Sequence, residues 1–303
     1  MKRKSYICKK IRNDMERKIE ASELIINNDG SIFHLHVKPE QLATTIILVG
    51  DPNRVTMVAS HFDNIECEVS NREFHTITGT YKGKRISCVS HGIGCDNMDI
   101  VITELDALAN IDFNTREIKK EHSTLTMVRI GTSGGIQPIC PIGSYVVSEM
   151  SVGFDGLLNY YEVPEGVFDL EMERAFCDHT QFGRRLAAPY FVHANRELVD
   201  KIGYDMIKGI TISAPGFYGP QGRYVRAKPL DIELNKKIMS FKYKDRVITN
   251  FEMESSALAG MSALLGHKAM TVCAIIAGRV SKNMNTEYKG SMEELVKIVL
   301  DRI

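Results

Sequence analysis

Apolar residues follow two periodicities along this chain. Four short runs rich in β-branched residues, 44–50, 85–92, 125–131 and 270–278, place apolar residues on both alternating faces, and each stops at a glycine. Such a run, apolar on both of its alternating faces and closed by a turn residue, predicts a strand buried on both sides of a sheet. Residues 96–110, 252–265 and 291–303 instead repeat apolar positions at helical spacing, and the first opens with Asp96 and Asn97, side chains able to cap a helix.

Strand, glycine turn and helix recur as a unit. This alternation predicts a mostly parallel sheet covered by helices, with ligands in the crevice at the carboxyl ends of the strands. Residues 151–185 mix aromatics, acids and glycine without a clear period and read as an excursion or oligomer surface with no assigned chemistry. No repeat, low-complexity linker or shift in composition divides the chain, so a single α/β domain is expected.

A chain of 303 residues that is 44% hydrophobic can bury a large core within one such domain. Its formal net charge of zero gives no field that would draw the whole molecule to nucleic acid or an anionic membrane, which leaves a small molecule as the expected partner. The exception is local. The first 18 residues hold eight Lys or Arg against Asp14 and Glu16, a net +6, and read as a solvated basic extension over residues 1–30, followed by the domain over 31–303. Seven scattered cysteines without a C-x-x-C pair suggest neither a disulfide framework nor a zinc site, and fit a reducing cytoplasm. No apolar run approaches the roughly 18 residues that span a bilayer, and the start lacks the apolar stretch of a secretion signal, so a cytoplasmic location is expected.

Two of the glycine ends carry chemistry. Gly50-Asp51-Pro52-Asn53-Arg54 follows an apolar strand; glycine lets backbone N–H groups approach an anion and Arg54 offers a planar fork, although the same sequence also suits an ordinary turn. In Arg129-Ile130-Gly131-Thr132-Ser133-Gly134-Gly135 an arginine lies inside an apolar run. Burying an unpaired guanidinium costs several kcal/mol, on the order of 3–5, so Arg129 must meet either an internal carboxylate or a bound anion. Two strand-end anion elements, with neither a P-loop lysine motif nor a G-x-G-x-x-G helix opening, point to free phosphate rather than a nucleotide tail.

These motifs resemble the nucleoside phosphorylase family, and within it the uridine phosphorylase branch. Further matches fall in order: Phe33-His34-Leu35, Asn71-Arg72-Glu73-Phe74, Ser90-His91-Gly92-Ile93-Gly94, residues 217–223, and Asn250-Phe251-Glu252-Met253-Glu254-Ser255. The resemblance spans roughly residues 32–280. It implies a central twisted mixed β-sheet, partly barrel-like and flanked by helices, and reversible cleavage of uridine by inorganic phosphate to uracil and ribose 1-phosphate, with no cofactor and no catalytic metal.

The resemblance also implies roles. Phosphate would be held by Gly50, Arg54, Arg129 and Thr132, with Arg72 entering from a neighbouring subunit. Ribose would be gripped by Glu254 and Met253, and the neighbour's His34 would reach its 5′-hydroxyl. Phe217, Gln221, Arg223 and Arg279 would meet the base, glutamine offering a donor and an acceptor to the uracil edge and Arg223 neutralising the leaving base. On a helix Glu252 and Glu254 would point to different faces, so one of the two, Glu254, is expected in the site. Purine-cleaving relatives carry an aspartate where this chain reads Ile275-Ile276-Ala277-Gly278-Arg279-Val280.

Because Arg72 and His34 would act across an interface, a homo-oligomer is expected, a hexamer built as a trimer of dimers rather than a lone dimer. Two departures stand out. Gly219-Pro220 reverses the branch's Pro-Gly order, and a serine that helps hold an intersubunit potassium ion beside the glutamate matching Glu73 is Asn97 here. The alternatives of the same fold are a purine nucleoside phosphorylase and a hydrolytic nucleosidase; a nucleoside-binding protein without turnover is the alternative of another class.

Overall fold

The computed structural model describes residues 17–303, so all but two residues of the basic stretch lie outside the described residues. Short strands open the fold: β1 (Thr45–Val49), β2 (Asn64–Asn71), β3 (Phe74–Tyr81) and β4 (Lys84–Ser90), with helix α1 (Pro52–Ala59) after β1 and α2 (Cys95–Asn110) after β4. A two-stranded ribbon, β5 (Ile111–Asp112) and β6 (Glu117–Ile118), leads to β7 (Thr126–Gly135) and β8 (Tyr145–Gly153). The remaining chain runs α3 (Leu170–Thr180), β9 (Tyr190–His193), α4 (Arg196–Ile202), β10 (Ile207–Ser213), α5 (Leu234–Ser240), β11 (Lys242–Tyr243) and β12 (Arg246–Glu252). It ends with α6 (Ser255–Leu264), β13 (Lys268–Gly278), β14 (Asn283–Met284) and α7 (Lys289–Arg302).

Twelve strands form one mixed sheet in the order β11-β12-β10-β8-β13-β7-β1-β4-β3-β2, with β9 added to β8 and β14 to β13. The parallel core expected from the apolar runs is present: β1 pairs in parallel with β4 and β7, and β7 with β13. The sheet then closes. β12, parallel to β10, also pairs antiparallel with the end of β7 through Asn250–Gly135 and Phe251–Gly134, so β7, β13, β8, β10 and β12 form a five-stranded barrel. The fold is thus a mixed sheet, partly barrel-like and flanked by helices.

Closure depends on β7 continuing through its glycines, where the sequence pattern ended the strand at Gly131. A glycine-rich end can bend from one partner to the other without side chains colliding. Apolar faces of α2 and α6 cover one side of the sheet with Met98, Val101, Leu105 and Leu258, while α1, α4 and α7 cover the other with Val55, Leu198, Leu295 and Val299. Leu24 and Ile32 belong to the first of these clusters, and Arg116 Nε donates to the Ile19 carbonyl at 2.9 Å.

Among the described residues no helix is long and apolar enough to cross a membrane. Asp106, His122 and His267 approach one another closely enough to hold an ion. The Leu125 N–H donates to His267 Nδ1 at 3.2 Å, which leaves the ring proton on Nε2, 3.0 Å from Asp106. That geometry suits a hydrogen bond, since a metal on Nε2 would need its lone pair.

Candidate active site

Strands β1, β7, β12 and β13 deliver their carboxyl ends to a cavity of about 680 Å3. Gly50, Arg54, Arg129, Thr132, Phe217, Gln221, Arg223, Met253 and Glu254 all line it, so nine residues scattered over two hundred positions of sequence share one space.

Arg129 is the centre of its floor. It stands on β7, buried, and four of its five guanidinium N–H groups are engaged: Nη1 lies 2.9 Å from Glu252 Oε2, Nη2 pairs with Glu254, Nη1 also reaches the Cys273 sulfur, and Nε donates to His91 Nε2 at 3.1 Å. Of the two partners left open for a buried arginine, the structure supplies internal carboxylates. Burial alone would weaken the guanidinium's hold on its proton; Glu254 and Glu252 more than offset this and keep it firmly charged. Burial, reinforced by Arg129 and Arg54, pushes His91 well below the ordinary imidazole range, so this ring accepts from Arg129 as a neutral partner.

The expectation that helical geometry separates Glu252 from Glu254 does not hold. Neither residue is inside the helix. Glu252 ends β12 and Glu254 is the N-cap of α6, so an extended residue and a cap turn both carboxylates onto Arg129. Glu252 also accepts from the backbone N–H groups of Glu254 and Ser255 and from the hydroxyls of Ser213 and Ser255. Its lone pairs are fully used, which makes it a holder of the floor.

Glu254 keeps more freedom. Besides Arg129 it accepts the Gly94 N–H at 2.7 Å, and it borders open space. Burial raises its carboxyl above the usual range, Arg129 opposes that rise and Glu252 adds to it. Gly94 is the N-cap of α2, at φ 97°, with no side-chain cap; the capping expected from Asp96 or Asn97 is replaced by a glycine whose N–H serves Glu254.

Arg54 enters from the first turn of α1, which Asp51 caps by accepting the Asn53 N–H at 2.9 Å and Pro52 starts. Its Nη1 lies 3.2 Å from the Ile130 carbonyl, and burial followed by the nearby charge of Arg129 lowers its affinity for the proton. Two guanidiniums, the Gly50 backbone and the Thr132 hydroxyl therefore face one small volume, an arrangement suited to a compact oxyanion.

The mouth is different material. Arg223 stacks on Phe217 at 3.7 Å, donates to the Phe217 carbonyl, and its Nη1 lies 2.7 Å from Gln221 Oε1. Because an arginine can only donate, the oxygen of the Gln221 amide is assigned and its N–H2 is left for a ligand. Arg279, expected at the base, stands behind Gln221 and donates from Nη2 to its main-chain carbonyl at 2.8 Å.

Arg72 and His34 do not line this cavity. They meet around Phe33, Arg72 lying 5.6 Å from the ring centroid and His34 packing edge-on at 4.8 Å. At the cavity rim Asn97 Nδ2 is 3.4 Å from Glu73 Oε1. In this orientation the amide offers the carboxylate a donor, where the family's serine would offer the potassium ion a lone pair.

A model of the phosphorylase superfamily matches residues 44–301. The chain belongs to that superfamily. It is 30% identical to a uridine phosphorylase of Thermococcus kodakarensis over 88% of this chain and 84% of that one. A solved Trypanosoma brucei nucleoside phosphorylase, described as showing uridine phosphorylase activity, superposes with a TM-score of 0.84 at 28% identity, covering 92% of this chain and 98% of that one. A DeoD-type purine nucleoside phosphorylase of Alkaliphilus metalliredigens is 26% identical over 88% of this chain and 97% of its own length. The chain is a nucleoside phosphorylase, and its relatives divide between pyrimidine and purine substrates.

Sequence reasoning left His91, Cys273 and the Glu252 carboxylate without roles. The need of a buried arginine for several acceptors was the signal that could have drawn them in, since Cys273 lies within the apolar run 270–278 and Glu252 opens the segment 252–265.

Proposed function

We propose that this phosphorylase cleaves uridine with inorganic phosphate, giving uracil and ribose 1-phosphate. The observation that carries the reading is the Gln221–Arg223 pair, which presents N–H groups to the base side of the cavity. A leaving uracil anion carries its charge on the ring nitrogen and carbonyl oxygens, the acceptors such donors would meet. No carboxylate stands on the neighbouring strand end, residues 275–280, to protonate a purine ring.

A phosphate oxygen held by Gly50, Arg54, Arg129 and Thr132 attacks C1′, the bond from C1′ to the base nitrogen breaks, and its electron pair leaves with the base. As positive charge builds on the sugar, Glu254 accepts from the 2′- and 3′-hydroxyls and favours the transition state, with Met253 packed alongside. The work is positioning and charge, and neither a covalent enzyme intermediate nor a metal enters. Arg72 and His34 would complete the neighbour's site in a homo-oligomer, a hexamer of three dimers, because they cluster outside their own cavity.

The test is uracil release by purified protein from uridine with and without phosphate, with inosine and adenosine in parallel. Phosphate-dependent release from uridine alone supports the proposal. Phosphate-independent release would make the enzyme a nucleosidase, and purine cleavage would mean that Gln221 and Arg223 do not select uracil.

A further inference from the structure

The turn that carries Gln221 is short and unsupported by the sheet. Gly219–Gln221 form a single 3-10 turn, and Gly222 follows in the left-handed region at φ 69°. The next nine residues, 224–232, are mostly exposed and hold no helix or strand, so chain continuity does little to fix the turn. Gln221 is nonetheless only 3% exposed.

What holds it comes from two distant elements. Its main-chain carbonyl accepts Arg279 Nη2 from beyond β13 at 2.8 Å and Asn235 Nδ2 from α5 at 3.1 Å. The Asn235 amide also lies flat against Gly222, where an added Cβ would stand 2.3 Å from Nδ2 and 2.7 Å from Cγ. Only glycine admits that approach. Both of the carbonyl's lone pairs are thus used, by donors arriving from two different elements.

We propose that Asn235 is a positioning residue for base recognition: with Arg279 it clamps the Gln221 carbonyl and so aims the Gln221 amide into the cavity. The clamp rests on the reading of Gln221 as a base contact. Asn235 itself lies outside the cavity and touches no substrate. Its loss leaves the phosphate floor intact and lets the turn wander, so the error falls on the nucleoside side alone.

The experiment compares wild type with Asn235→Ala, Asn235→Asp, Gln221→Ala and the double variant Gln221→Ala with Asn235→Ala, reading KM for uridine and for phosphate separately, kcat, and Tm as a check on folding. Aspartate keeps the size of asparagine but offers no N–H to the carbonyl. Both Asn235 variants should lose about five- to ten-fold in kcat/KM for uridine, the worth of one neutral hydrogen bond, with phosphate KM and Tm unchanged. In the double variant the Asn235 loss should vanish, because it acts through Gln221.

Full activity in Asn235→Asp would show that the residue merely fills space and would overturn the clamp. So would losses that multiply in the double variant, or equal rises in both KM values. A Gln221→Ala variant that handles uridine as well as wild type would instead overturn the base reading itself and, with it, the proposal. Should Asn235→Ala unfold, Asn235→Ser, which keeps a donor on a shorter arm, gives the same comparison with a smaller loss.

Discussion

At the floor of the cavity Arg129, Glu252 and Glu254 stand on the barrel strands or within two residues of them, whereas at the mouth the functional side chains hang on turns. Arg129 and Glu254 are 4% and 5% exposed; Phe217 is 48% exposed, and Met284, also at the rim, 56%. The floor is a buried ionic cluster in which one arginine faces two glutamates and a neutral histidine. The mouth is a stack of one guanidinium on one ring beside one amide. Chemistry common to a whole family needs fixed charges in a dry place, and strand ends locked by pairing on both sides supply it. Choice of base needs only a few donors, and turns can change these without disturbing the sheet.

The comparison is broken most directly at Arg129. Arg129→Ala leaves Glu252 and Glu254 buried without a counter-charge, so the variant should lose about 3–5 kcal/mol of stability and at least about a thousand-fold in kcat/KM. Thermal unfolding and steady-state kinetics on one preparation check both. A variant as stable as wild type would mean that Arg129 does not hold the two buried carboxylates in place.

Glu254→Gln should separate stability from activity. Burial raises the carboxyl of Glu254 in the folded protein, so the unfolded chain releases that proton at lower pH than the native one. Stability therefore falls as pH climbs from the ordinary carboxyl range through the raised native value. Activity runs the other way: the ionised form accepts the ribose hydroxyls, so kcat/KM rises over the same window. Glutamine never ionises, and Glu254→Gln should flatten both slopes while lowering kcat/KM by about a hundred-fold. A pH profile that keeps its acid limb in the variant would assign that limb to another group.

At the mouth the expected losses are smaller and selective. Arg223→Ala removes the stack on Phe217 and the bond to Gln221, and should cost about ten-fold in kcat/KM for uridine. Phosphate KM and Tm should stay at their wild-type values, because Arg223 is half-exposed and touches no barrel strand. A fall in Tm comparable to that of Arg129→Ala would erase the distinction between floor and mouth.

The sequence made the floor more legible than the fold that holds it. Apolar runs ending in glycine marked β1, β4, β7 and β13, and a buried arginine demanded a partner. Closure of the barrel had no such signal in the periodicity and came only with the family resemblance. It needs β7 to bend across from β13 to β12, and glycines 131, 134 and 135 read as the end of a strand rather than as the means of bending one. Gly131 serves a second purpose that no pattern shows, since a Cβ there would lie 2.8 Å from Arg129 Nη1. Helical period placed Glu252 and Glu254 on different faces because it began the helix at 252; the helix begins at Ser255, where the N–H groups ahead of it already bond to Glu252. The mouth was legible in residue type alone. Which atom of the Gln221 side-chain amide is free, and what clamps its main-chain carbonyl, follow from contacts with Arg223, Arg279 and Asn235.

The smallest effect is expected outside the cavity, at His34. Glu104, on α2, accepts the backbone N–H groups of His34 and Leu35 and stands 2.6 Å from His34 Nδ1. A carboxylate in that position holds the proton of a neutral ring on Nδ1, which leaves the Nε2 lone pair outward to accept from a hydroxyl. If that hydroxyl is the 5′-OH of the neighbour's nucleoside, His34→Ala should lower kcat/KM for uridine by about five-fold, one neutral hydrogen bond, and leave 5′-deoxyuridine unaffected. Glu104→Gln, which frees the tautomer while keeping the ring, should fall between the two. Equal losses on both nucleosides would place His34 among the structural contacts of the Phe33 cluster and remove the strongest chemical reason for two subunits to share one site.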